Sequence, residues 1–194
     1  MLIHAMTRCL AHTLRTNAPL PTRRALTLRL DPPLFEPAIA PLKHVTAPPF
    51  GVFFVSGRHF SSYHVRFADV ARGGLRVVAP TGTEAHVAES KRQFGECLNL
   101  AWAQQLKNKD IPEGGSKAVC LVTPAPGTER TELLHGCVKA TIDGLLDLLN
   151  PASLQALGPV ASSAPDRASV RRREGGEQGG RRHRLGVPVP STRS

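Results

Sequence analysis

The sequence predicts an α/β domain built on a mixed sheet flanked by helices, followed by a disordered tail. Three observations predict it. Apolar runs of strand length, such as FGVFFVSG (50–57) and KAVCLVTP (117–124), are interleaved with two long segments whose apolar residues recur at helical spacing. Between Asp31 and Asn150 twelve basic residues balance twelve acidic ones. Residues 151–194 contain no aromatic residue, and from Ala161 they are dominated by Arg, Gly, Ser and Pro. Such a stretch buries too little apolar area to offset its ordering entropy. The chain therefore divides into an N-terminal segment (1–30), a domain (31–150) and a tail (151–194).

Residues 1–30 hold five arginines and no acid, the composition of an organelle transit peptide. ALTLRL (25–30) nevertheless alternates like a strand and runs on into the domain. Both readings stay open, and with them a mitochondrial or a cytoplasmic location. The prolines from Pro32 to Pro49 predict an extended, irregular connector.

The run 50–57 reads as a buried strand. In 61–70, Tyr63, Val65 and Phe67 alternate with His64, Arg66 and Ala68, which predicts a second strand, and GGLRVVAP (73–80) predicts a third. Thr81 and Glu84 have the spacing of a capping box opening a helix to about Leu106, with Phe94, Leu98, Ala101 and Gln105 along its buried stripe. Pro112, Gly114 and Gly115 predict a turn, and 117–124 a strand buried on both faces. Glu129–Asn150 predicts a second helix, with Leu133, Leu134, Cys137, Val138, Ile142, Leu145 and Leu149 facing the core and Pro151 ending it.

The net charge of +10 comes from the two ends, so the domain itself offers no basic face and no specific nucleic-acid partner is expected. An arginine tail binds polyanions weakly and in a salt-dependent way. Four dispersed cysteines without C-x-x-C spacing read as reduced, packed thiols of an intracellular protein, and no metal site is expected. No apolar run reaches the roughly 18 residues of a membrane span.

Chemistry concentrates where cations adjoin glycines: ARGGLR (71–76), QQLKNK (104–109) and EGGSK (113–117). Paired glycines let backbone approach a ligand, an arginine fork grips a carboxylate, and a lysine supplies a point charge. Converging, these elements would hold a small dicarboxylate, or a phosphate. The phosphate-loop and dinucleotide fingerprints are both absent. Lys117, at the mouth of a buried strand, is the candidate for acid/base or Schiff-base chemistry, and equally a turn lysine in solvent. Arg72 and Arg76 also read as a surface pair, and Lys107 and Lys109 as cations favoured at a helix C-terminus.

IPEGGSKAVCLVTP (111–124) resembles the active-site signature of the glutamate/leucine/phenylalanine/valine dehydrogenases. GVFFVSGRHFSSYHVRFADVARGGLRVV, together with AQQLKNKDIPEGGSKAV, is similar to the large NAD-specific glutamate dehydrogenases, over roughly residues 14–150. The resemblance implies reversible oxidative deamination of L-glutamate to 2-oxoglutarate and ammonia, with NAD taking the hydride and a homo-oligomer as the complete enzyme. It implies that Lys117 is catalytic, activating water and stabilising charge at the substrate α-carbon. It assigns substrate binding to Arg72, Gly73, Gly74, Arg76, Lys107, Gly114 and Gly115. The spacing from Lys107 to Lys117 is shorter than in the small hexameric members, which leaves Lys109 and Gln105 as competitors for Lys107. Arg72 stands where those members have lysine. The family's catalytic aspartate and nucleotide-binding domain find no counterpart after Asn150, so the chain is expected to be a partial enzyme, inactive alone. A non-catalytic subunit that associates with a complete dehydrogenase is the alternative.

Overall fold

The computed structural model describes residues 2–107 and 112–150. Among the described residues seven strands, β1 (Thr13–Thr16), β2 (Leu26–Leu30), β3 (Gly51–Gly57), β4 (Phe60–Arg66), β5 (Ala71–Arg72), β6 (Leu75–Val78) and β7 (Gly114–Val122), form one sheet. The α-helices among the described residues are α1 (Leu2–Ala11), the single turn α2 (Glu36–Ile39), α3 (Thr83–Leu106) and α4 (Arg130–Leu149). Strands β1, β2, β3, β4 and β7 lie side by side and antiparallel, and β5 and β6 pair with β7 in parallel. The sheet is mixed, as the sequence predicts.

Two apolar cores lie on its opposite faces. Val52, Val65 and Val119 pack against Cys97, Leu98 and Ala101 of α3. Residues of the other parity, Val55, Phe60, Cys120 and Val122, pack with Cys137 and Ala140 of α4. Side chains alternate across a strand, so α3 and α4 cover different faces of the sheet.

Most predicted elements form, with four differences. ALTLRL gives β2, but α1 and β1 precede it, and both strands join the same sheet as β3. The proline-rich connector contains a 3-10 turn, Pro32–Phe35, and α2, because Phe35, Ile39 and Leu42 pack against the α3-side core. The capping box does not form: Gly82 is the N-cap of α3, and no side chain caps it. Gly114 and Gly115 belong to β7 and make no turn.

The face of α4 follows the expected stripe at Leu133, Leu134, Cys137 and Leu145, which pack in the α4-side core, and departs from it at Ile142 and Leu149, which are exposed. Cys137, Ala140, Thr141, Gly144 and Leu148 are buried, while Ile142, Leu146 and Leu149 are exposed. A Cβ on Gly144 would stand 2.3 Å from Thr27 Oγ1, so small residues at 140, 141 and 144 let this helix lie close on β2. At its start the Glu129 carboxylate accepts from the Thr131 and Glu132 amides, two donors the helix leaves unpaired. The tail expected at 151–194 lies outside the described residues.

Candidate active site

The register of the edge strand builds the site. Ala71 and Arg72 pair with Gly114 and Gly115, and Leu75 and Arg76 with Ala118 and Val119, at one unbroken offset. β5 and β6 are thus one strand whose pairing lapses at Gly73–Gly74, directly beside Ser116 and Lys117. A Cβ on Gly73 would stand 1.8 Å from the Ser116 carbonyl oxygen. A Cβ on Gly74 would stand 3.8 Å from Lys117 Nζ. The Gly74 carbonyl accepts from the Ala118 amide at 3.0 Å, which holds the glycine pair against β7.

Lys117 is half-buried and lies opposite Val65 in the β4–β7 ladder. It shares its strand face with Val119, so it is on the α3 side. Parity puts Gly115, Arg72 and Arg76 on that side as well.

A ladder of contacts runs from α3 onto β7. Gln93 Nε2 donates to the carbonyl oxygens of Val119 and Ser61. One turn on, the Cys97 thiol donates to the Lys117 carbonyl at 3.1 Å and lies 3.4 Å from that of Tyr63. A Cβ on Gly115 would stand 2.4 Å from the Ala101 carbonyl oxygen, and the Gly115 amide donates to Gln105 Oε1 at 2.7 Å. Four helical residues advance ~6 Å and two strand residues ~6.6 Å, so the two repeats stay in step. Burial pushes the Cys97 thiol up to about 12, which leaves it a neutral donor.

The residues singled out from sequence, Lys109 apart, take the following places. Lys117, Arg72, Gly73, Gly74, Gly114 and Gly115 meet at the junction of β5, β6 and the start of β7. Gly114 is held by its amide to the Val70 carbonyl at 2.7 Å, and a Cβ there would press on Ala68. Lys107 is the exposed C-cap of α3, two residues past the Gln105 that grips Gly115. Gln105 itself is engaged with that amide, and Lys109 lies outside the described residues.

Arg76 points over α3 and pairs with Glu96, Nη1 to Oε1, at 2.6 Å. With Lys91, Arg92 and Asn99 these two line an open groove of about 750 Å³ that Lys117 does not line. Glu96 and Cys97 carry no sequence motif, and Gln105 stands out in sequence only as a competitor of Lys107. Cys97 and Gln105 share a four-residue spacing with Gln93 and Ala101, a polar and small-residue stripe beside the apolar one.

Among the described residues no three metal-ligating side chains cluster, and no helix is long and apolar enough to cross a membrane. A single crossover, β6–α3–β7, resembles half of a dinucleotide-binding unit. Its entry turn, Ala79–Gly82, holds one glycine and a proline in place of the three-glycine cradle a pyrophosphate needs. The described residues therefore do not fit NAD.

The chain matches the family model described as bacterial NAD-glutamate dehydrogenase, catalytic domain, over residues 1–162. It is 40% identical over 140 residues to glutamate dehydrogenase 2 of Dictyostelium discoideum, covering 72% of this chain and 13% of that protein. It is 38% identical over 136 residues to the NAD-specific glutamate dehydrogenase of Saccharomyces cerevisiae, and 40% identical over 136 residues to that of Neurospora crassa. These two alignments cover 70% of this chain and 12% of each relative. An α/β domain with a lysine set between two glycine pairs thus falls in the class of amino-acid dehydrogenases. Within that class the chain belongs to the NAD-specific glutamate dehydrogenase family, and it spans about an eighth of the length of the relatives it matches.

Proposed function

We propose that this chain forms the glutamate- and 2-oxoglutarate-binding part of an NAD-dependent glutamate dehydrogenase, which deaminates L-glutamate oxidatively and reversibly. The supporting observation is the unbroken register that sets Gly74 beside Lys117 Nζ and Arg72 beside Gly115. The absent side chain at Gly74, beside Lys117 Nζ, lets a substrate skeleton lie close to backbone, while Gly73, Gly114 and Gly115 give up their side chains to the close approach of Ser116, Ala68 and α3. Lys117 holds or moves a proton at the α-carbon substituent and stabilises charge there. Arg72 and Lys107 take the carboxylates. Arg76 can join them only by leaving Glu96.

NAD, when bound to the complete enzyme, accepts the hydride. In this proposal it is held by polypeptide outside the described residues, so the described residues alone do not turn over. The complete enzyme is proposed to be a homo-oligomer that breaks down glutamate, in the mitochondrion or the cytoplasm. A second reading, a non-catalytic subunit docking on a complete dehydrogenase, draws on Ile142, Leu146 and Leu149, exposed along one side of α4. Co-elution with a full-length relative would favour it.

Competitive acylation tests the first reading. Saturating 2-oxoglutarate is expected to slow modification of Lys117 relative to the exposed Lys43, with no NADH formed from glutamate and NAD. Unchanged Lys117 modification in folded protein would contradict it.

A further inference from the structure

The Arg76–Glu96 ion pair joins β6 to α3, which also meet where Val78 packs against the α3-side core. Arg76 sits on β6, the outermost strand beyond β7, and Glu96 sits on α3, one residue before the Cys97 that donates to the Lys117 carbonyl. Residues 96 and 97 therefore hold both sides of the candidate site: Glu96 the edge strand, Cys97 the backbone of the lysine. Between them stands Gly74, whose carbonyl takes the Ala118 amide and whose α-carbon faces Lys117 Nζ.

The edge strand has little else to fix it. Gly73 and Gly74 are exposed, and Val77 is 37% exposed. Beyond the pairing of Leu75–Val78 with β7, Leu75 packs at the margin of the α4-side core and Val78 at that of the α3-side core. A strand paired on one side, with two glycines in its middle, is free to lift from the sheet unless a side chain ties it to the layer above. The Arg76 guanidinium does this, and the Glu96 carboxylate that receives it is the less exposed partner, 22% against 55%.

We propose that Glu96 is a positioning residue: through Arg76 it clamps β6 under α3 and so keeps the Gly73–Gly74 segment against Lys117. The importance of this for catalysis rests on the function proposed above, but the clamp itself does not require a ligand. On this assignment Arg76 acts as a strut, which accounts for its lining a groove that Lys117 does not reach.

The test uses the full chain without substrate. Amide hydrogen exchange is followed at residues 74–78 and at Ala118, together with acylation rates of Lys117 and Lys43, in wild type, Glu96→Gln, Arg76→Lys and the exchanged pair Arg76→Glu/Glu96→Arg. Partly exposed ion pairs set the scale: Glu96→Gln is expected to speed exchange at 74–78 and Ala118 by about two- to five-fold. Lys117 acylation should rise by a similar factor while Lys43 stays constant. Arg76→Lys, which keeps the charge, is expected to keep most of the protection, and the exchanged pair to restore it. Unaltered exchange at 74–78 in Glu96→Gln, or no recovery in the exchanged pair while Arg76→Lys remains folded, would overturn the clamp. Failure of 2-oxoglutarate to protect Lys117 would count against the functional reading alone.

Discussion

Gly73 and Ser116 lie so close across the edge of the sheet that a Cβ on the glycine would stand 1.8 Å from the serine carbonyl oxygen. Gly73→Ala cannot be absorbed by a side-chain rotation, because the obstacle is backbone. It is expected to cost about 1–3 kcal/mol, the range for forced overpacking, and to lower the thermal midpoint. Gly136 in α4 provides the opposite case, since nothing lies within 4 Å of a Cβ there. Gly136→Ala should stabilise the domain by about 0.5–1 kcal/mol, a helical glycine having lost its entropic cost. Paired melting curves check both signs.

The buried thiols should be inert. Cys97 and Cys120 are fully buried, and burial pushes them up to about 12 and about 11. Iodoacetamide at pH 8 is expected to modify the half-buried Cys9 and leave both untouched in the native state, read by peptide mass spectrometry. Modification of Cys97 as fast as Cys9 would contradict its place between α3 and Lys117.

His64 makes stability depend on pH. Burial, then the neighbouring Arg66 charge, lower it from 6.5 to about 4, so the unfolded chain binds its proton more tightly. This contribution is complete above pH 6.5, is lost as pH falls toward 4, and then levels off. It amounts to on the order of 3 kcal/mol. Denaturant titrations from pH 7 to 4 should show a shallower decline in His64→Asn than in wild type.

Asn17 fastens the first hairpin to α4. It is fully buried; its amide nitrogen donates to the Ala25 carbonyl and to Asp147 Oδ2 at 2.7 Å, and its amide oxygen accepts from the Thr27 amide. Asn17→Ala strands these partners and is expected to cost about 2–4 kcal/mol. Asp147→Asn, which removes only the charge on one partner, should cost clearly less in the same denaturant assay.

The sheet was legible from sequence because β3, β4 and β7 carry period-two or continuous apolar patterns that no helix explains. What escaped depends on packing across layers. Pro112-x-Gly114-Gly115 reads as a turn by composition, yet the glycines are strand residues that make room for the backbone of α3 and for Ala68. On α4 the stripe was legible at Leu133, Leu134, Cys137 and Leu145, whereas Ala140, Thr141 and Gly144, which let the helix lie close on β2, carry too little apolar surface to stand out. At the site, Lys117 and the two glycine pairs were legible as a motif. Gln105 was legible only as a competitor of Lys107, and Glu96 and Cys97 were not legible, since a residue in mid-helix acquires its role only from what the fold sets opposite it.

The most direct measurement is a graft. Residues 13–150 replace the matching segment of the full-length Dictyostelium discoideum relative, and glutamate-dependent NADH formation is followed with and without Lys117→Ala. The expected result is an active chimera whose kcat falls about 10³-fold on that substitution, within the range for loss of a positioned acid/base group. A folded chimera that oxidises glutamate equally well without the Lys117 amine would contradict the assignment.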